Sequence, residues 1–259
     1  WSRGLGDVYK RQGPNGVQTY APAGPANRLV SDGIHSYTYD REGNLESKTA
    51  LATGEKTQYF WDHGNRLVKV ERRSPGGVIL SVSEFRYDPL GRRIVETSSG
   101  VARFTTYDGD HAWADFEPDG AAKARYLYGD AVDEILARWN PESGTGWYLT
   151  DRLGSVRDLA NASGAIMNSI AYSAFGQILT QTNANAGDRF AFTGRERETI
   201  TTAHFRARSL DTTTGQFLST DPTGFQSNDV NLYRYALNRP TDLKDPSGFS
   251  ALGDYAIQA

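Results

Sequence analysis

Apolar and polar positions alternate over short stretches of this chain, as in Val68-Lys69-Val70-Glu71, Val78-Ile79-Leu80-Ser81-Val82 and Glu84-Phe85-Arg86-Tyr87. A period of two turns one face of a strand to a core and the other to water, so these segments predict half-buried β-strands. Turn residues punctuate them. Tyr39-Asp40-Arg41-Glu42-Gly43-Asn44-Leu45 returns as Trp61-Asp62-His63-Gly64-Asn65-Arg66-Leu67 and as Tyr87-Asp88-Pro89-Leu90-Gly91-Arg92-Arg93, with aspartates 22 and then 26 residues apart. In each unit an aromatic closes a strand, Asp accepts turn hydrogen bonds, and Gly or Asn supplies the positive φ that reverses the chain. Each unit is a predicted hairpin. One hairpin is marginal alone, so the units must stack to bury a shared face.

Past residue 100 the pattern loosens but keeps its character. Ala124 to Asp130, Gly146 to Ser155 and Ile170 to Gly176 each read as strand then turn, and Arg189-Phe190-Ala191-Phe192-Thr193-Gly194 alternates cleanly up to its glycine. Residues 180–188 are small and polar and predict a loop. One short helix is expected late in the chain, capped by Ser227 or Asn228, with Leu232 and Tyr235 or Ala236 on one face and Pro240 ending it. The fold class is therefore all-β, with one short helix.

Composition agrees with many short strands and tight turns: 12% of residues are aromatic, led by 14 Tyr, and there are 27 Gly and 10 Pro. At 259 residues the chain can bury a sizeable core. Net charge is −3 and no stretch gathers the basic residues that would track a phosphate backbone, so nucleic acid is not an expected partner. Apolar runs fall well short of the roughly 20 residues that span a bilayer, and the absence of cysteine removes disulfides and thiolate metal sites. Residues 1–12, Trp1 to Gln12, lack an initiator Met and resemble translated adapter sequence. They are set apart from the fold, and the chain is read as a fragment of a longer protein.

Two Asp-Pro-x-Gly units carry the candidate chemistry: Asp221-Pro222-Thr223-Gly224 and Asp245-Pro246-Ser247-Gly248, 24 residues apart. Asp-Pro-x-Gly is also an ordinary turn sequence. Their surroundings resemble a known family. The tandem Tyr-Asp units look like YD repeats, and Asp151-Arg152-Leu153-Gly154-Ser155 with Tyr172-Ser173-Ala174-Phe175-Gly176 resembles the start of the Rhs repeat-associated core. Thr214 to Pro222 resembles the middle of that core, and Asn231 to Pro240, running on to Asp245-Pro246-Ser247-Gly248-Phe249, is similar to its closing signature. The resemblance covers about residues 30–249.

That resemblance implies a large, curved β-sheet shell of stacked hairpins closed by an Rhs core. Residues 13–110 would be YD-repeat shell, 111–249 the core with an autoprotease, and 250–259 the start of a variable C-terminal toxin. Matched motif to motif, the family's protease residues fall on Asp221, Asp245 and Arg208, and its scissile bond on Phe249-Ser250. The implied partner is the chain's own C-terminal toxin held in the shell, with delivery machinery and a cognate immunity protein beyond it. The implied location is secreted or at a bacterial cell surface. The chain departs from the family at three places. Leu210-Asp211-Thr212 stands where Tyr-Asp-Pro is usual, His204-Phe205 where paired tyrosines are common, and Phe249 replaces the usual Leu before the cut.

The chemistry follows from the residue types. Two carboxylates about 3 Å apart cannot both ionise, so one can act as base on water while the other donates to the scissile carbonyl. Arg208 would orient the pair or stabilise developing negative charge. Such an aspartyl autoprotease acts once, in cis. No cofactor or metal is expected: His35, His63, His111 and His204 lack ligand spacing, and there is no Walker loop, G-x-S-x-G elbow or H-E-x-x-H. The many Tyr and Trp at strand ends are expected to pack between strands. Two other readings stay open: a non-enzymatic YD-repeat surface or adhesion protein whose core only plugs the shell, and a protein whose function lies in a toxin beginning at residue 250.

Overall fold

The computed structural model describes residues 10–13, 16–19, 25–186, 189–227 and 229–249. Fourteen strands, from His35–Tyr39 to Ile178–Gln181, pair antiparallel in chain order as one continuous meander. A small hairpin, Lys10–Gly13 with Gly16–Thr19, precedes it. After Gln181 the architecture changes to a four-stranded sheet of Glu196–Arg197, Thr202–Phe205, Arg208–Asp211 and Gln216–Phe217. Strand pairing runs unbroken across residues 110 and 111 through the pair Asp108 and His111.

The repeat explains the meander residue by residue. Asp88 Oδ1 accepts the backbone N–H groups of Leu90 and Arg92, both at 2.9 Å, while Gly91 at φ +81° turns the chain. Asp62 does the same for Gly64 and Arg66, and Asp151 for Leu153 and Ser155. The aspartate thus satisfies the donors that a tight turn would otherwise strand. The aromatic before it works at longer range. Trp61 donates through Nε1 to the Leu45 carbonyl (2.8 Å), Tyr87 Oη to that of Leu67 (2.7 Å) and Tyr107 Oη to that of Arg93 (2.8 Å). Each aromatic therefore staples its hairpin to the residue just past the preceding turn. That residue is the last of the motif, and Leu45, Leu67 and Arg93 are each 2% exposed. A β-bulge falls beside the aromatic in all three units, before Tyr39, Trp61 and Tyr87. Bulges raise local right-handed twist, so these three hairpins bend at the same end.

One face of the long sheet is buried. Tyr37, Leu45, Tyr59, Leu67, Val70 and Phe85 cluster with Leu218, and Tyr126, Ile135, Tyr148 and Leu159 cluster with Phe190. The small sheet has its own centre of Phe205, Leu210, Phe217 and Tyr235. On the other face Trp113, Trp139 and Trp147 are 43–48% exposed, with Arg125 lying 5.9 Å from the rings of both Trp113 and Trp139. The expectation that the tryptophans pack between strands thus fits Trp61 but not these three, which stand on the side that the C-terminal segment leaves uncovered.

Two other local expectations change. Arg189 to Gly194 forms no strand beyond an isolated bridge at Phe190; it is wholly buried and ends in a 3-10 turn, Phe192–Gly194, with Thr193 at φ +51°. Its alternation reflects a segment wedged between the two sheets, touching both. The late helix resolves into two 3-10 turns, Gly224–Ser227 and Ala236–Asn238. Ala236, Leu237 and Asn238 all have φ between +46° and +57°, a left-handed run that a right-handed helix cannot include. Asn228, the alternative cap, lies outside the described residues.

Candidate functional site

The seam between the two sheets is built from buried ion pairs. Lys48 Nζ meets Asp211 Oδ2 at 2.8 Å. Arg93 meets Glu196 at 2.8 Å and Glu198 at 2.9 Å, and Arg189 meets Asp115 at 2.9 Å. Arg93 occupies the position where the other two repeats have leucine, and the small sheet answers it with two glutamates. One residue that keeps the family pattern, Asp211, and one that departs from it, His204, fall here. Asp211 takes Lys48, and His204 is buried with Nδ1 3.4 Å from Glu198 Oε1.

Burial alone would raise these carboxyls, but the cations overcome it. Arg189 and Arg93 hold Glu196 well below the ordinary carboxylate range, Lys48 lowers Asp211, and His204 and Arg93 lower Glu198. Burial and Arg93 also lower His204, keeping it neutral. The unfolded chain therefore takes up protons at ordinary values of 3.8 to 6.5 where the folded chain resists them. Stability is complete above that range, begins to be lost within it as the unfolded chain protonates, and goes on being lost below it toward the depressed folded-state values. Thermal melts followed by circular dichroism from about pH 8 to about pH 3 should show a midpoint that declines below about pH 6 and steeply below about pH 4. A midpoint that holds steady to about pH 3 would contradict the assignment.

At one end of the small sheet, strands Thr202–Phe205 and Arg208–Asp211 are joined by the two-residue turn Arg206–Ala207, with Arg206 at φ +50°. This turn brings the three residues singled out in the sequence to one point. Arg208 Nη2 lies 3.2 Å from Asp221 Oδ2 and 3.2 Å from Asp245 Oδ2. The two carboxylates are thus within two hydrogen-bond lengths of each other through one nitrogen. All three are buried: Arg208 is 3% exposed, Asp221 7% and Asp245 1%. The guanidinium also stacks 3.7 Å from the Phe217 ring centroid, which fixes its plane. Desolvation lowers the Arg208 pKa, opposed by the two aspartates.

The remaining carboxylate oxygens organise the turns. Asp221 Oδ1 accepts from the Thr223 N–H at 2.8 Å and its hydroxyl at 2.6 Å, and Asp245 Oδ1 from the Gly248 N–H at 2.9 Å. Each Asp-Pro-x-Gly unit is therefore a turn as well as the source of a second carboxylate oxygen facing Arg208. Gly248 sits at φ +74° with its α-carbon against strand backbone; a Cβ there would collide with the Phe205 carbonyl oxygen. The same guanidinium reaches past the aspartates: Nε donates to the Gly248 carbonyl, Nη1 to that of Leu232 (3.1 Å) and Nη2 to that of Phe249 (3.0 Å). Phe249 is half exposed and lines a cavity of about 420 Å³ together with Arg66, Leu90, Arg92, Arg206 and Pro222. Ser250 lies outside the described residues. A larger cavity of about 730 Å³, lined by Arg103, Lys123, Tyr126, Arg138 and Arg189, contains none of the three residues. Among the described residues no cluster of three or more His, Asp or Glu could hold a metal ion.

Arg206 and Asp133 went unmarked in the sequence. Arg206 donates to both carboxylate oxygens of Asp133, at 2.7 and 3.2 Å, and to the Pro246 carbonyl at 2.5 Å. No spacing rule links positions 73 residues apart, and the only local hint is a second arginine two places before Arg208.

A long meander of Asp-turned, aromatic-stapled hairpins, closed by a small sheet that carries the Rhs core signature, defines a YD-repeat shell protein. The chain belongs to the teneurin YD-shell family, whose profile matches residues 24–241. It is 29% identical over 231 residues to the tRNA3(Ser)-specific nuclease WapA of Bacillus spizizenii, covering 86% of this chain and 9% of that protein. It is 27% identical over 256 residues to the probable deoxyribonuclease RhsB of Dickeya dadantii, covering 90% of this chain and 17% of that one. Among solved structures, the Photorhabdus luminescens Tc holotoxin pore carrying the mutation TccC3-D651A superposes with a TM-score of 0.60 at 17% identity, over 95% of this chain and 14% of that one. The fold is thus that of the Tc toxin shell, and the relatives include Rhs-type toxins. The chain spans less than a fifth of the length of these three. No helix among the described residues is long and apolar enough to cross a membrane.

Proposed function

We propose that this segment cuts its own chain once, between Phe249 and Ser250, and so frees a C-terminal toxin enclosed by the shell to which it belongs. The observation that carries the reading is Arg208. One buried guanidinium touches both aspartates and the carbonyl of Phe249, the acyl side of the bond to be cut. The residue types suit an acid–base pair. With one carboxyl protonated and the other ionised, the remaining carboxylate balances the guanidinium and the buried cluster carries no net charge. The ionised aspartate takes a proton from the attacking water and the protonated one donates to the carbonyl oxygen. The first then passes its proton to the Ser250 nitrogen as the C–N bond breaks, and the diol returns a proton to the second, leaving a new carboxyl at Phe249 and a free amine at Ser250. Arg208, already on the carbonyl oxygen, stabilises the negative charge that develops there. Because Asp245 lies four residues before the bond, catalyst and substrate share one loop and the reaction is intramolecular.

On this reading residues 13–110 serve as shell, 111–249 as the core with its autoprotease, and 250–259 begin the cargo. The released toxin is the first partner, an immunity protein and delivery machinery are others, and the working location is outside the producing bacterium. Intact-mass measurement of the folded 259-residue chain tests it. The expected species are fragments ending at Phe249 and beginning at Ser250. A folded, uncut chain would overturn the proposal and favour the second reading, a non-enzymatic surface or adhesion protein. That reading draws support from the teneurin profile and from 24% identity to mouse Teneurin-4 over 232 residues.

A further inference from the structure

We infer that Arg206, anchored on Asp133, is a positioning residue that makes cleavage conditional on docking of the long sheet against the small one; the inference rests on the self-cleavage reading above. Residues 206–208 hold four consecutive carbonyl oxygens of the cleavage loop. Arg206 binds that of Pro246, the Ala207 N–H that of Ser247 at 3.1 Å, and Arg208 those of Gly248 and Phe249. A backbone gripped at every residue from 246 to 249 presents the Phe249 carbonyl in one place. Of these grips, the one made by Arg206 depends on the long sheet.

Asp133 belongs to the turn between strands Ala122–Tyr128 and Ile135–Asn140 of that sheet. It is buried at φ +59°, and its Oδ1 accepts from Arg195 Nη1 at 2.9 Å as well as from Arg206. The same turn makes a second tie: the Val132 carbonyl accepts from Lys244 Nζ at 3.1 Å, one residue before Asp245. The cleavage loop is thus bracketed by Val132 before it and by Asp133, through Arg206, within it. If the two sheets separate, Arg206 loses its anchor and the Pro246 carbonyl loses its fixed donor. Neither Arg206 nor Asp133 touches the carboxylates of Asp221 or Asp245 among the contacts described, so their effect passes through geometry.

Arg206→Ala is a clean probe because Arg195 stays on Asp133 and leaves no orphaned charge. Cleavage followed by pulse–chase of the newly translated 259-residue chain yields a first-order rate constant and a final extent. Arg206→Ala is expected to lower the rate constant about 10- to 100-fold with the extent retained, the scale of a misplacement near 1 Å. Asp133→Asn should slow it as well, the double variant should be little slower than Arg206→Ala alone, and Arg206→Lys should recover part of the loss. The pH dependence of the rate constant should keep its midpoint. An unchanged rate constant, or a reduced extent at unchanged rate, overturns the inference. In the uncut Asp245→Asn background, amide exchange at Ala207 and Gly248 should quicken on Arg206→Ala, and unaltered exchange overturns the positioning role by itself. An uncut wild-type chain with quickened exchange sinks the self-cleavage reading instead.

Discussion

Asp245→Asn is expected to leave the chain full length. Asparagine keeps the shape of the side chain, and its carbonyl oxygen can still accept from the Gly248 N–H, so the turn survives. The second oxygen becomes an NH₂ group facing Arg208 and can neither take nor give the proton the reaction needs. Arg208 is not stranded, because Asp221 and the carbonyls of Leu232, Gly248 and Phe249 remain. General acid–base groups contribute roughly 10²- to 10⁴-fold, so cleavage should slow by at least about 10²-fold. Asp221→Asn should behave alike, since the Thr223 contacts hold its turn. Intact mass with circular dichroism checks both, and a folded variant of either kind cut at the wild-type rate would remove that aspartate from the mechanism.

Arg93→Leu is expected to destabilise the fold by about 3–5 kcal/mol, the cost of breaking a buried pair from one side. The substitution restores the leucine that the repeat carries at Leu45 and Leu67, so the motif alone would call it conservative. In the fold it removes the partner of Glu196 and Glu198 at 2.8 and 2.9 Å while leaving both carboxylates buried. Arg189 still reaches Glu196 at 3.3 Å, and Ser209 and His204 stay beside Glu198, which caps the loss. Adding Glu196→Gln and Glu198→Gln should recover much of the stability, because the uncompensated charge goes with them. Urea unfolding resolves the difference, and an Arg93→Leu variant within about 0.5 kcal/mol of wild type would show that the seam does not depend on the pair.

The legible parts of this protein are those whose causes lie close together along the chain. An Asp-turn is settled by hydrogen bonds to residues two and four places on, so Asp62, Asp88 and Asp151 could be read directly. The aromatic and the buried residue ending the motif recur one repeat apart, which marks the staple without any knowledge of shape. Asp221, Asp245 and Arg208 were visible because they sit inside an ordered signature, not because any of them stands out chemically.

Elsewhere a local pattern had two meanings. The alternation of Arg189 to Gly194 suits a strand, yet a segment pressed between two sheets also needs side chains facing both ways. The spacing of Leu232 and Tyr235 suits a helix, yet Arg234 bridges to Gln216, Tyr235 is extended and the three residues after it are left-handed. Trp113, Trp139 and Trp147 carry the same alternating pattern as buried aromatics, and only the placement of the C-terminal segment on the opposite face decides which side is covered.

By itself, then, the sequence determined an antiparallel meander of Asp-turned hairpins and three residues of a closing signature, because backbone hydrogen bonding and turn φ angles are set within a few positions. The tertiary structure alone decided that Arg93 and Lys48 are answered by Glu196, Glu198 and Asp211, and that Arg208 lies on the Phe249 carbonyl. It alone tied Arg206 to Asp133. Buried charges must be paired wherever the packing of two sheets brings them, and that meeting depends on which faces close together, a property no stretch of the chain carries alone.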